Sequence, residues 1–146
     1  KNYYHLRFIY IMNKDRIEKI LKKNYPNIYR DFSILTLEKD KAKVELIVSD
    51  NFMRTATKIS NNAIFSLVNI TFHVATVFTL GPKSNSMVTN INFNFMRPAP
   101  PKNMFAEARI LKITKNSVIG DVLVLSSNNK TIAHSAITLT IPNEFE

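Results

Sequence analysis

The stretch from Ser60 to Pro82, SNNAIFSLVNITFHVATVFTLGP, constrains this chain more than any other. Read as a helix it is apolar nearly all the way round, and such a helix must be buried, either in lipid or inside its own protein. Ser60 or Asn61 suits the N-cap, and Gly81-Pro82 supplies the expected stop. Five polar residues (Asn69, Thr71, His73, Thr76 and Thr79) interrupt the run, and the strands that follow it are amphipathic and need something to cover. The reading is therefore a central helix buried in its own domain, with Asn69 as the residue that a purely structural role leaves unexplained.

The segments on either side supply that cover. Asn13 is a plausible cap for a first helix whose Ile17, Ile20 and Leu21 form one apolar stripe, ended by Tyr25-Pro26. Phe32, Ile34 and Leu37, a turn over residues 38–41, and then Ala42, Val44, Leu46 and Val48 read as a hairpin. A loop from Phe52 to Ile59 leads into the long helix. After Pro82 everything is strand. Met87–Met96 alternates, with Val88, Asn90, Asn92 and Asn94 on one face and Thr89, Ile91, Phe93 and Phe95 mostly on the other. Met104–Ile113, Val118–Leu125 and Thr131–Ile141 follow, separated by polar turns. An α+β domain with an antiparallel sheet curled around the long central helix is the economical arrangement.

Composition removes several classes of function. With no cysteine, disulfides and thiolate metal sites are excluded. His5, His73 and His134 are too far apart in sequence to suggest a zinc site, so no metal and no cofactor is expected. A net charge of +9 invites a polyanionic partner. The basic residues are nevertheless scattered and no nucleic-acid motif accompanies them, so nucleic acid is not the expected partner, and neither is a membrane. The phosphate end of a nucleotide-containing ligand suits the same charge. Residues 1–12 are aromatic and basic, too short and interrupted for a signal peptide or a span. They read as an extension ahead of a natural start at Met12, or alternatively as an edge strand or arm; residues 13–146 read as a single domain, expected in the cytoplasm.

Asn62–Ala75 on the helix, Val88–Pro100 on the next strand and Ala106–Pro142 beyond it resemble the hotdog-fold thioesterases of the PaaI type, over about residues 31–142. The resemblance implies a homodimer, often paired into a homotetramer, that hydrolyses acyl-CoA thioesters at sites shared between two subunits. In that family a glycine-rich loop at the helix start presents backbone amides to the thioester carbonyl; here those positions are Ser60, Asn61 and Asn62. The family's acidic residue, a general base or nucleophile, falls at Asn69, and an amide cannot accept a proton as a carboxylate does. Thr89 and Asn90 match a Thr-Asn pair that helps to hold the attacking water.

The resemblance thus implies Asn69, Asn61, Asn62 and Thr89 as catalytic positions, with Ser60 and Asn90 beside them at the substrate. His73, one helical turn beyond Asn69, is expected on the same face. Phe65, with Phe72 and Phe78, is a candidate lining for an acyl chain. Arg97, Lys102 and Arg109, with Lys112 and Lys115, are candidates for the CoA phosphates. The replacement of Asp by Asn leaves a second function open, a non-catalytic acyl-CoA or fatty-acyl binding protein on the same fold.

Overall fold

A computed structural model describes residues 13–55, 58–82 and 86–142, so the proposed extension 1–12 lies outside the described residues. Helix α1 spans Lys14–Asn24. The Asn13 side chain accepts the Arg16 amide at 2.9 Å and closes its first turn, as an N-cap should. Ile17 and Leu21 point inward, and Tyr25, the residue before Pro26, ends it.

The strands are β1 (Phe32–Glu38), β2 (Lys41–Leu46), β3 (Met53–Thr55), β4 (Lys58–Ile59), β5 (Met87–Phe95), β6 (Met104–Ile113), β7 (Ser117–Ser126) and β8 (Thr131–Thr140). The expected loop over residues 52–59 instead holds the short β3–β4 hairpin, and Phe52 and Ile59 are both buried. The two apolar anchors at its ends tie that segment to the core. The six long strands form one antiparallel sheet in the order β1-β2-β6-β7-β8-β5.

Helix α2, Asn61–Leu80, lies on the inner face of this sheet. Ala42, Val44 and Leu46 of β2, Ala106 and Ala108 of β6 and Val122 and Val124 of β7 meet it there, and Ala133 and Ile137 of β8 are buried in the same core. Small residues in the middle strands let the helix approach closely. By length and composition α2 could cross a membrane, but 67% of its most apolar window is buried inside the protein, as the core helix of a curled sheet requires.

Alternation along β5 departs from the simple pattern at one place. Val88 pairs with Leu139 and Asn90 with Thr138, so Thr89 is the extra residue of a bulge. The bulge reverses the phase and places Val88 with Ile91 and Phe93 against the core, while Asn90, Asn92 and Asn94 remain on the outer face. The expected grouping of Val88 with the asparagines is corrected accordingly. A second bulge in β1 explains why Ile34 and Leu37 both face inward although three residues apart.

Candidate functional site

The polar residues of α2 divide into two groups. Thr71 donates to the Leu67 carbonyl at 2.6 Å and Thr76 to the Phe72 carbonyl at 2.9 Å, while Thr79 Oγ1 accepts the Asp40 amide at 2.9 Å. All three hydroxyls are satisfied inside the fold. Asn69 has no side-chain hydrogen bond to a described residue, and His73 Nε2 is buried without a partner among them. These two lie one turn apart and line the same cleft.

That cleft, of about 720 Å³, is closed on one side by Ile20, Lys23 and Tyr25 of α1 and its end, and on the other by Met87 and Val88 of β5 and Leu139 of β8. The Tyr25 ring meets the His73 ring edge-on, with centroids 6.3 Å apart and planes at 76°. Burial pushes the His73 imidazole pKa below its ordinary 6.5, so that the ring is neutral at physiological pH, and pushes the Tyr25 phenol up. The apolar stripe of α1 left no sign of this role, because Tyr25 reads in sequence only as the residue that stops a helix before proline. Met87 and Val88 were equally hidden, since the bulge at Thr89 decides which way Val88 faces.

A second cleft, of about 430 Å³, opens at the start of α2, where Asn61 and Ile64 face Phe95, Met96, Arg97 and Ala99. Ser60 is the N-cap: its side chain accepts the Ala63 amide at 3.2 Å. The Asn61 and Asn62 amides belong to the first helical turn, which has no intrahelical acceptor for them, and they have no partner among the described residues. This end of the helix carries partial positive charge, and the Arg97 side chain adds to it. Asn61 and Arg97 are therefore brought together, as are Asn69 and His73, but in two separate clefts.

The remaining sequence candidates fall elsewhere. Phe65 is exposed at the start of α2 and meets Phe93 at a tilt of 35°, while Phe93 stacks on Phe95, with centroids 5.5 Å apart in both contacts. Phe72 is fully buried in the core and Phe78 half-buried, so Phe65 alone of the three is open to a ligand. Thr89 Oγ1 is 2.7 Å from Thr140 Oγ1, and Asn90 lies on the outer face of the sheet. Within one chain neither joins Asn69. Lys102 is exposed in the turn before β6, and Lys112 and Lys115 are exposed near the far end of that strand. Arg109 is also on the outer face, in a two-pronged ion pair to Asp121 at 2.9 and 3.2 Å, and Asp121 receives His134 Nε2 at 3.1 Å.

An antiparallel sheet wrapped on one buried helix defines a hotdog-fold α+β protein. The sequence profile of the thioesterase superfamily matches residues 59–133, from the end of β4 into β8, and the chain belongs to that family. No curated protein matches it by sequence. Among solved structures it is similar to a protein of Silicibacter sp. TM1040 assigned as a thioesterase, at 27% identity and a TM-score of 0.83, over 91% of this chain and 94% of that one. The PaaI protein of the E. coli phenylacetic acid degradation operon shares the fold at 15% identity and a TM-score of 0.75, over 88% and 92% of the two chains. A Streptococcus mutans protein bound to acetyl-CoA does so at 15% identity and 0.68, over 77% and 89%.

Proposed function

We propose that this protein hydrolyses acyl-CoA thioesters at sites shared between two copies of the chain. The observation that carries the reading is the placement of unpaired polar groups on one helix. The Asn61 and Asn62 amides suit an oxygen that gains negative charge, and Asn69, eight residues on, suits a water molecule. At 1.5 Å per residue these positions are about 12 Å apart, too far to act on one carbonyl within a single chain. A second copy that brings its own Asn69 to the first copy's helix start resolves the separation.

The unpaired edge of the sheet supports the same assembly. β5 is the last strand beside β8, and Met87, Phe95 and Met96 along and just beyond it are 58%, 48% and 56% exposed. Such an edge invites pairing with another strand. In this arrangement Arg97, beside Asn61, and Lys102 face the CoA phosphates as charge-assisted donors, and the Phe65–Phe93–Phe95 stack offers an apolar wall to the acyl group. The family membership and a fold relative holding acetyl-CoA support a CoA thioester as the substrate class.

A second reading, an acyl-CoA binding protein without turnover, is favoured by one feature, the amide at Asn69 where a carboxylate would accept a proton. Thiol release from a panel of acyl-CoAs of different chain length and aromaticity, alongside calorimetric binding of the same compounds, separates the two. Turnover above the buffer rate supports the hydrolase. Binding of CoA thioesters without any turnover removes it and leaves the binding protein.

A further inference from the structure

The hydrolase reading leaves one chemical requirement unfilled: the attacking water must give up a proton, and Asn69 cannot take it. We propose, resting on that reading, that His73 is the general base, its imidazole accepting a proton from a water oriented by the Asn69 amide in the cleft between α1, α2 and β5.

The geometry supports this in three ways. Asn69 and His73 are at positions i and i+4 of α2, which places their Cβ atoms about 5–6 Å apart on one face, the span a single water bridges. Both line the same cleft, so the groups converge on one space rather than on two. His73 Nε2 is buried and has no partner among the described residues, although leaving a buried ring nitrogen unpaired is unfavourable. No described residue hydrogen-bonds the imidazole, and a proton acceptor must be uncommitted in this way. Tyr25, fixed at the end of α1 by the hydrogen bond its backbone N–H donates to the Leu21 carbonyl at 2.7 Å, holds the imidazole edge-on and acts as a positioning residue.

The surroundings favour the neutral ring. Burial depresses the imidazole pKa, and the described groups around the cleft include no carboxylate that would stabilise the cation. Lys23 is the one charged side chain among them, and Tyr25 the one other titratable group. The water oxygen forms a bond to the thioester carbon while its proton passes to the His73 imidazole, and the carbonyl oxygen takes up the electron pair at the amides of Asn61 and Asn62 in the second copy. Collapse of the tetrahedral species breaks the C–S bond, and the departing CoA thiolate takes the proton from the His73 imidazolium.

The test is kcat and kcat/KM against pH for the full-length protein, using whichever acyl-CoA of the panel is turned over, with His73→Gln and His73→Asn compared with the parent. The expected result is a loss of about 10²–10⁴-fold in kcat and disappearance of the acid limb of the profile. Imidazole added to His73→Ala restores part of the rate, which a packing role would not produce. Variants that stay folded and keep both the parental rate and the acid limb overturn the proposal. Should the substitutions prevent folding, the His73 ring is titrated by NMR in the parent protein, and a ring pKa that differs from the kinetic acid limb overturns it equally. Absence of turnover by the parent with every acyl-CoA is a different outcome, since it removes the hydrolase reading itself.

Discussion

The ring of Phe72 rests directly on the backbone of Gly120: a Cβ built at position 120 would lie 2.5 Å from Phe72 Cε1 and 2.1 Å from the Arg109 carbonyl oxygen. This contact sets how closely α2 sits on β6 and β7, and hence where the start of the helix and the Asn69 stripe are held. Gly120→Ala cannot be relieved by a flexible side-chain tip, because one of the two obstacles is backbone. The expected cost is about 1–3 kcal/mol from overpacking. For a chain of this size that corresponds to a midpoint about 3–10 °C lower in a thermal melt. Combining it with Phe72→Leu should give less than the sum of the two losses, since each substitution alters the same contact.

Asn69→Asp places a carboxylate in the cleft with His73. In the proposed hydrolase it supplies a second proton acceptor at the position where the family resemblance implies an acidic residue, and kcat for the preferred acyl-CoA is expected to rise by about tenfold or more, up to the 10²–10⁴-fold that general base catalysis contributes. The loss on His73→Gln should then be smaller in the Asn69→Asp background than in the parent. Initial-rate measurements on the four proteins of that cycle check both statements, and a variant that binds the thioester with an unchanged or lower kcat contradicts the first.

Ser60→Ala removes the side chain that accepts the Ala63 amide. Loss of an N-cap costs about 1 kcal/mol, read as a lower midpoint in thermal or denaturant unfolding. The same change lets the first turn fray, so the Asn61 and Asn62 amides no longer converge, and kcat is expected to fall with little change in KM. Ser60→Thr, which keeps a capping hydroxyl, should retain both stability and rate.

Acid stability offers a test of His73 that needs no substrate. Burial holds its pKa below the ordinary 6.5, so the native state resists protonation that the unfolded chain accepts. The stability tied to the neutral ring is complete above about pH 6.5 and is lost as the pH falls through the lower, native value. His73→Gln, which carries no titrating ring, should show a shallower decline in melting midpoint as the pH falls below about 6.5.

What the amino-acid pattern revealed follows the range of the interactions involved. Helix α2 was legible because its apolar run, its Ser60 cap and its Gly81-Pro82 stop are all local, and local periodicity was enough to put Asn69 and His73 on one face. The facing of Val88 was not, because a bulge at Thr89 depends on how β5 is paired with β8 rather than on β5 itself. Tyr25 entered the cleft through packing between α1 and α2, which no spacing within α1 encodes. Arg109 looked like a free cation in a basic chain, while its partner Asp121 stands opposite it on β7, twelve residues away, where only the strand register joins them.

That register yields a last expectation. Partial burial of Asp121 acts to raise its carboxyl pKa, but hydrogen bonds from Arg109 and His134, together with their charges, outweigh it and hold the group below its ordinary 3.8. Because the folded value is depressed, the stabilisation is complete above the unfolded pKa and is lost as the pH falls through the folded one. Arg109 is 58% exposed, so solvent screens the pair and its contribution is small. Asp121→Asn should therefore lower the melting midpoint slightly at neutral pH and bring the two proteins together in acid, below about pH 4. The cluster lies on the outer face of the sheet, away from both clefts of α2, so the rate of thioester hydrolysis at neutral pH should be the same in the variant and the parent. A large fall in rate with little change in stability would instead place Asp121 at the reacting site.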